Sequence, residues 1–441
     1  MSNQQSRRVS GRFNFLIYLV ITVIVAVALS RALPRLSLLS HHFGIRTSSS
    51  GPRINLADSG APRGVLPLHI HTAASHSRAD KYNHLRTDKM AFEKELEVAQ
   101  LAVQRATILT KRVFHERAKG TVSKDDASPV TIGDFGAQIL IISAILANFP
   151  DDEIVGEEDA DKLREDASLK QIVWDLIKTT KLDDPAAEEL IGGAVKDENA
   201  MLDLLDRGNS KGGAKGRIWA IDPIDGTKGF LRGGQYAVCL GLMVDGDVKV
   251  GVLGCPNLPL DDAAPLTVDI GSNATDEGRG VVFSAVQGQG ATSRPFSTGG
   301  LKESKKISMK PITKMSEATF CESVEAGHSS QGEAAQIAQK LGITSPSVRM
   351  DSQAKYASIA RGAGDIYLRL PTSKTYVEKI WDHAAGDLIV REAGGQVTDT
   401  TGKRLDFSLG RTLAENKGVV AAPAPYHAEV LKAVQEVLGA K

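Results

Sequence analysis

The stretch Asp222-Pro-Ile-Asp-Gly-Thr-Lys-Gly-Phe230 decides how the chain is organised, because two acids are followed at once by a glycine and a threonine. The run before it, residues 216–221, is mostly apolar and predicts a buried strand. A strand ending in Asp222 and Asp225 can direct both carboxylates into one pocket. Gly226 and Thr227 can begin a helix whose free N–H groups face an anion. The alternative is that the two acids only cap a turn.

Two further acidic segments favour a metal site over a turn. In VGEE, residues 155–158, Glu157 and Glu158 end a second apolar stretch, and in WDHAAG, residues 381–386, Asp382 begins an apparent helix. Like charges held together raise the free energy unless a cation neutralises them, and Mg²⁺ prefers hard oxygen ligands. We therefore predict a Mg²⁺ site, and we interpret His383 as a packing or hydrogen-bonding residue because it offers nitrogen.

These segments carry a resemblance to a known family. The strings VGEE, WAIDPIDGTKGF and WDHAAGDLIVREAGG resemble those of the lithium-sensitive, Mg²⁺-dependent sugar-phosphatase superfamily, which includes inositol monophosphatase and fructose-1,6-bisphosphatase. The segments 324–330, 350–356 and 365–371 are similar to those of its 3′(2′),5′-bisphosphate nucleotidase branch. The resemblance runs from about Phe92 to the C-terminus.

The resemblance implies a layered αβαβα sugar-phosphatase fold of mixed α+β and α/β class, with two subdomains and the active site between them. A shift towards Gly, Ser and Asp between Leu260 and Gly280 predicts the boundary. We assign an N-terminal α+β metal-binding subdomain to 90–262 and a C-terminal α/β nucleotide-binding subdomain to 263–441. Apolar spacing predicts a long helix from Ala91 and a second helix over 135–149, with Asp134 near its start.

The resemblance also implies roles for single residues in phosphate hydrolysis. An oxygen cage for two or three Mg²⁺ ions would consist of Glu157, Asp222, the carbonyl of Ile224, Asp225 and Asp382. The attacking water would be handled by Asp134 and the Thr227 hydroxyl, with Glu158 assisting. Phosphate oxygens would accept from the N–H groups of Gly226 and Thr227. Taken without the resemblance, Asp134 is more simply a helix cap.

Substrate selection would depend on the second half of the chain. The resemblance implies that the adenosine and its 5′-phosphate are surrounded by His328, Ser352, Lys355 and Arg369. A bisphosphate requires cations beyond the metal cage, so the residue types agree. Each of the four, taken alone, could equally be structural.

The predicted activity is hydrolysis of the 3′-phosphate of adenosine 3′,5′-bisphosphate, and of its sulfated form 3′-phosphoadenylyl sulfate, with inhibition by Li⁺. The resemblance implies a role in sulfate assimilation and salt tolerance. An inositol phosphate phosphatase of the same superfamily is one alternative. A catalytically silent, membrane-tethered scaffold that binds nucleotide is another, although so many converging carboxylates argue against it.

Composition narrows the partners and the compartment. The 441 residues carry 53 basic and 53 acidic side chains, a balance that argues against a general nucleic-acid binder. The ligand predicted is a small nucleotide bisphosphate, and the protein is expected to be a monomer. None of the three cysteines, Cys239, Cys255 and Cys321, has C-x-x-C spacing, which favours reduced thiols and a reducing compartment.

The N-terminal region departs from the family pattern. Residues 1–57 form an Arg-rich leader without Asp or Glu, and its segment 13–30 is 18 residues without a charge. Three interpretations stay open: a single-span membrane anchor, a mitochondrial presequence and a cleaved secretory signal. Residues 58–89 are interpreted as a flexible linker, so the location of the catalytic part, at a membrane, in mitochondria or in the cytoplasm, stays open.

Overall fold

A computed structural model describes residues 91–118, 129–264, 266, 277–373 and 375–439 of the chain. The apolar segment 13–30 and the linker 58–89 lie outside these ranges, so their interpretations stay predictions. Within the described ranges, one helix, Pro129–Asn148, has the length and hydropathy of a membrane span, and 78% of its most apolar window is buried inside the protein.

The described residues form eleven α-helices, numbered here in chain order. They are α1 (Glu93–Ala118), α2 (Pro129–Asn148), α3 (Asp161–Glu165), α4 (Ala167–Ile177), α5 (Pro185–Leu190), α6 (Glu198–Arg207), α7 (Thr227–Arg232), α8 (Gln331–Lys340), α9 (Ala354–Ala360), α10 (Ala384–Glu392) and α11 (Ala424–Gly439). The long helix predicted after Ala91 is confirmed as α1. The second predicted helix begins earlier than expected, at Pro129.

The strands form two sheets. The first has seven strands in the order of the chain: β1 (Glu153–Gly156), β2 (Arg217–Asp225), β3 (Ala237–Val244), β4 (Asp247–Pro259), β5 (Arg279–Val286), β6 (Gly290–Pro295) and β7 (Lys305–Ile307). Only the pair β1 and β2 is parallel among the described pairs of this sheet. The second sheet has the order β11-β12-β10-β8-β9, with β8 (Phe320–Glu322), β9 (Val348–Arg349), β10 (Ile366–Arg369), β11 (Gly395–Thr398) and β12 (Val419–Pro423).

Alternation along the strands builds the layers. In β2, Trp219 and Ile221 face the core formed with α1 and α2, whereas Ile218 and Ala220 face the core that contains α9 and α10. In β10, Tyr367 faces that same central core, and its neighbours Ile366 and Leu368 pack with residues of α8 and α11. Successive strand residues point to opposite faces, so each sheet is covered on both sides. The result is helix, sheet, helix, sheet and helix, which confirms the αβαβα fold.

Two glycines bring helix α10 unusually close to the first sheet. A Cβ added at Gly251 would lie 2.8 Å from the carbonyl oxygen of Ala385, and one at Gly241 would lie 3.0 Å from the Cβ of Ala384. Only residues without side chains allow this approach. Because Asp382 lies two residues before α10, the close packing brings this acid to the first sheet.

The two sheets change over later than the predicted subdomain boundary at 262/263. Strands β5, β6 and β7 continue the first sheet, and the second sheet begins only at Phe320. The Gly-, Ser- and Asp-rich segment joins β4 to β5, which are direct neighbours in one sheet. A polar connection of this kind has the same composition whether it links two strands or two subdomains, which is the reason for the difference.

Candidate active site

One cavity of about 300 Å³ contains most of the residues predicted to act together. Its lining includes Glu157, Asp222, Ile224, Asp225, Gly226, Thr227, His328, Ser352, Lys355, Arg369 and Asp382. It also includes residues that the sequence did not indicate: Lys228, Asp351, Gln353, Tyr367 and Tyr376. Asp134 and Glu158 do not line it. The cavity is therefore acidic on the side of the first sheet and carries cations on the side of the second.

The parallel pair of strands explains how the acids from VGEE and DPID meet. Gly156, the last residue of β1, pairs with Ile221 of β2. The carboxyl ends of two parallel strands lie at the same edge of a sheet, so Glu157 follows β1 next to Asp222. This register brings together Glu157 and Asp222, which are 65 residues apart in the chain.

A β-bulge places Asp222 and Asp225 on the same side. Asp222 pairs with Cys239 and Asp225 with Ala237, so the segment between the two acids contains one residue more than the segment of β3 opposite it. In a regular strand, side chains three positions apart point to opposite faces. The extra residue corrects this phase. Single carboxylate oxygens of Asp222, Asp225 and Asp382 consequently lie within 4.8 Å of one another.

Burial and mutual repulsion destabilise three of the acids as anions. Burial, and then the charge of Glu157, raises the pKa of Asp222 well above its ordinary value. Although part of Glu157 is exposed, its carboxylate is desolvated, and this together with the charge of Asp382 raises its pKa to about 8. Burial and the charge of Asp382 also raise the pKa of Asp225 to about 6.

The donor set fits Mg²⁺. The Oδ1 atom of Asp222 is buried without a hydrogen-bond partner among the described residues, and a buried charged oxygen requires a partner. The converging donors are carboxylate oxygens, the ligands of hard divalent cations. His383 does not compete for this place, because its ring nitrogens bond Tyr356 and Glu378.

Asp134 lies inside α2 and is not an N-cap, since the helix begins five residues before it at Pro129. Its side chain is buried, and burial together with the charges of Glu158 and Glu157 raises its pKa well above the ordinary value. Burial also raises the pKa of Glu158. The helix thus places Asp134 within electrostatic range of Glu157 and Glu158.

Gln138, one turn further along α2, fixes that segment. Its Nε2 donates to the carbonyl of Glu158 at 2.7 Å, and its Oε1 accepts from the N–H of Glu158 at 3.0 Å. The side chain is fully buried. Gln138 is four residues after Asp134, so both face the same way, but nothing in the sequence indicated its role.

Arg411 ties the VGEE segment to the Asp382 segment. Its guanidinium donates to the carbonyl of Gly156 at 2.6 Å and to that of Ser210 at 3.0 Å. It also stacks over the ring of Trp381, 4.9 Å from the centroid. Arg411 thus connects the residue before Glu157 with the residue before Asp382, although the two acids come from distant parts of the chain.

The turn after the acids needs a glycine. Gly226 has φ of 89°, and a Cβ there would lie 2.9 Å from the Cβ of Ser352. It precedes the one-and-a-half-turn helix α7, whose first residue is Thr227. Ser352 itself has φ of 69°, and its Oγ accepts from the N–H of Ala354 at 3.1 Å. The N–H of Gln353, which lies between Ser352 and Ala354, donates to the carboxylate of Asp225.

The cationic side of the cavity is largely buried. The ammonium of Lys355 donates to the carbonyl of Met350 at 3.2 Å, and burial lowers its pKa to about 8 against the opposing charge of Asp225. Arg369 donates from Nε to Glu378 at 2.8 Å, and another of its nitrogens lies 3.9 Å from Asp382. By contrast, His328 is exposed at the rim.

Ion pairs border the mouth of the cavity. Lys228, in α7, pairs with Glu325 at 3.0 Å, and Arg232 pairs with both Glu325 and Asp351. Asp351 is buried, so its partner Arg232 compensates a charge that would otherwise be costly. These pairs join the helix after DPIDG to the segment that carries Ser352 and Lys355.

Comparison with known proteins places this geometry in a family. A model of the inositol monophosphatase family matches residues 92–438. The chain is 67% identical over 350 residues to a 3′(2′),5′-bisphosphate nucleotidase of Emericella nidulans, covering 79% of this chain and 99% of the relative. It is 48% identical over 353 residues to a 3′(2′),5′-bisphosphate nucleotidase of Schizosaccharomyces pombe, covering 79% and 97%. A solved inositol monophosphatase from Anabaena (Nostoc) sp. PCC 7120 aligns with a TM-score of 0.46 at 18% identity, over 80% of this chain and 97% of that chain. The chain belongs to the inositol monophosphatase family.

Proposed function

We propose that the chain is a Mg²⁺-dependent phosphatase that hydrolyses the 3′-phosphate of adenosine 3′,5′-bisphosphate to AMP and phosphate. The observation that carries this proposal is the cavity in which the carboxylates of Asp222, Asp225 and Asp382 face the cations Lys355 and Arg369. One side suits metal ions that hold the phosphate to be cleaved, and the other suits a second phosphate that is kept. The proposal agrees with the name 3′(2′),5′-bisphosphate nucleotidase that the two similar proteins carry.

The metal would be held by Glu157, Asp222, Asp225, Asp382 and the carbonyl of Ile224, as two or three Mg²⁺ ions. When bound, Mg²⁺ supplies Lewis acidity to the phosphoryl oxygens and lowers the pKa of a water. The raised pKa values of Glu157, Asp222 and Asp225 support the assignment, because a cation offsets the repulsion that contributes to them. Inhibition by Li⁺ follows if the smaller charge occupies one of these positions.

The chain's own residues would manage the proton. The Thr227 hydroxyl lines the cavity at the start of α7 and would orient the attacking water. Asp134 has a raised pKa, so its carboxylate is a stronger base than an ordinary aspartate and would take the proton from Thr227 or the water. Glu158, beside it, would assist. The N–H groups of Gly226 and Thr227 would donate to oxygens of the phosphate.

Recognition of the nucleotide would fall to the second half of the chain. Lys355 and Arg369 would bind the 5′-phosphate, and His328 and Ser352 would contact the adenosine. An inositol phosphatase, the second candidate, has less use for two buried cations beyond the metal site. We also propose hydrolysis of 3′-phosphoadenylyl sulfate and action as a monomer. Attachment to a membrane through residues 13–30 stays one of three interpretations of the leader, beside a mitochondrial presequence and a cleaved secretory signal.

The assignment of Lys355 can be tested with two nucleotides that differ only in the 5′-phosphate. In the Lys355→Gln variant, KM for adenosine 3′,5′-bisphosphate should rise about tenfold, equivalent to about 1.4 kcal/mol. KM for adenosine 3′-monophosphate should change little. Lys340→Gln, at an exposed lysine paired with Glu436, is the matched control. Equal effects on both nucleotides would contradict a role in binding the 5′-phosphate.

A further inference from the structure

We propose that Glu378 and His383 are positioning residues that keep Arg369 directed at the substrate anion and away from Asp382. The inference rests on the proposed function, in which Arg369 binds an anion and Asp382 binds Mg²⁺. It adds a reason why a cation and a metal-binding carboxylate can lie side by side in one cavity without neutralising each other.

Arg369 is poised between two carboxylates. Its Nε donates to Oε1 of Glu378 at 2.8 Å, whereas its nearest nitrogen to Asp382 lies 3.9 Å from Oδ2. A third contact, to the hydroxyl of Tyr376 at 3.3 Å, orients the outer end of the guanidinium. The first distance is a hydrogen bond and the second is not, so Glu378 holds the guanidinium in place.

Glu378 is itself held by a buried chain of hydrogen bonds. His383 Nε2 lies 3.2 Å from the second oxygen of Glu378, and His383 Nδ1 lies 2.9 Å from the hydroxyl of Tyr356. A carboxylate only accepts, so Nε2 donates to Glu378, and the other ring nitrogen shares its hydrogen bond with the tyrosine hydroxyl. His383 is 0% exposed and Tyr356 1%, so water does not compete for these bonds.

The charge of Glu378 is secure in this setting. Burial would raise its pKa, but the hydrogen bond from His383 and the charge of Arg369 outweigh burial and lower the pKa to about 2. In turn, the charge of Glu378 raises the pKa of Arg369 well above its ordinary value, although burial opposes this. Glu378 and Arg369 form a hydrogen-bonded ion pair in which Nε and Oε1 lie 2.8 Å apart.

Removing that charge redirects Arg369. With Glu378 neutral, the guanidinium is drawn to Asp382, which is already within Coulombic range. A charge-assisted hydrogen bond between them would occupy oxygens of Asp382 that Mg²⁺ needs. Metal affinity and nucleotide affinity would then fall together.

A double-mutant cycle tests this without any nucleotide. Purified full-length protein is titrated with Mg²⁺, and the concentration giving half of the thermal stabilisation is measured. Glu378→Gln should raise this concentration about tenfold. Adding Arg369→Gln to that variant should return it to within about twofold of the wild type, because the competing cation is gone. His383→Leu, which frees one oxygen of Glu378, should give a smaller rise that the Arg369→Gln change also removes.

Controls separate positioning from general damage. Glu436→Gln, at a surface pair on α11, should leave the Mg²⁺ midpoint unchanged. AMP affinity, measured by calorimetry, should fall in Glu378→Gln and stay low in the double variant. If Glu378→Gln does not fold, Glu378→Asp is measured in the same cycle with the same expectation of reversal by Arg369→Gln. An unchanged Mg²⁺ midpoint, or one that Arg369→Gln does not restore, would overturn the proposal. Failure of the nucleotidase activity itself would leave this Mg²⁺ result unaffected.

Discussion

Replacing Gln138 with methionine should free the backbone of the VGEE segment and so weaken Mg²⁺ binding. The side chain is 0% exposed and makes two hydrogen bonds to the backbone of one residue, Glu158, at 2.7 and 3.0 Å. Methionine fills nearly the same volume but can make neither bond. Glu158 is half-buried, so water can reach its backbone only in part.

The magnitude follows from the two groups left without a partner. Each unsatisfied buried donor or acceptor costs about 1–3 kcal/mol. Partial access of water to Glu158 places the total near the lower end, at about 2–3 kcal/mol. Because Glu157 is attached to the freed backbone, the Mg²⁺ concentration for half-maximal stabilisation should also rise, by about fivefold or more.

The assays are urea unfolding in EDTA and the Mg²⁺ titration of thermal stability. Gln100→Met is the matched control, since Gln100 is a buried glutamine of α1 whose amide donates to Ser284 at 2.7 Å. Ser284 keeps a second partner, Thr292, at 3.0 Å. The control should lose about 1 kcal/mol and keep its Mg²⁺ midpoint. Wild-type values for Gln138→Met in both assays would refute the argument, and so would an equal Mg²⁺ shift in both variants.

Three further predictions concern the acids and the turn. Asp222→Asn should lower turnover more than about a hundredfold, measured by steady-state kinetics, and an active variant would contradict the ligand role. The same change should raise the free energy of unfolding of the metal-free protein by on the order of 1–2 kcal/mol, measured by urea unfolding, because it removes a buried carboxyl that neighbouring acids repel. Without metal, stability should fall as pH rises from about 4.5 to about 8, because the folded protein holds a proton on Glu157 that the unfolded chain has released. Urea midpoints at pH 5.5 and 8.5 measure this loss, which should shrink with excess Mg²⁺ and in Glu157→Gln; a loss unchanged by either would contradict it. Gly226→Ala should cost about 1–3 kcal/mol, since φ of 89° is combined with contact to Ser352. Gly193→Ala, at φ of 68° with open space around it, should show the smaller backbone cost alone in the same urea assay.

The acids of the site could be predicted from the sequence because each follows a local signal. Residues 218–221 form an apolar run, and such a run leading directly into acids places them in the last part of a strand. The resemblance to a family then indicated Asp134 and Arg369 as site residues. Arg369 lines the cavity, and Asp134 does not. The sequence indicated that Asp222 and Asp225 can enter one pocket but not how, since in a regular strand their spacing gives opposite faces and only the bulge brings them together.

Residues that act over long separations escaped the sequence. Gln138 lies in an apolar helix and Arg411 in a polar loop, and their partners are the carbonyls and amides of distant backbone, which carry no sequence signal. Glu378 lies four residues before Asp382, and no sequence pattern distinguished it from other charged residues near a motif. The sheet changeover at 307–320 was missed for a related reason, because strand pairing is decided by contacts between segments and not by the composition of the connection.

The most direct test of the central claim is phosphate release by the full-length chain. Adenosine 3′,5′-bisphosphate and inositol 1,4-bisphosphate are compared in Mg²⁺ and in EDTA, with Asp222→Asn in parallel. The account predicts rapid release from the nucleotide that requires both Mg²⁺ and Asp222, with little release from the inositol substrate. Faster release from inositol 1,4-bisphosphate, or release from the nucleotide that persists in EDTA or in Asp222→Asn, would contradict it.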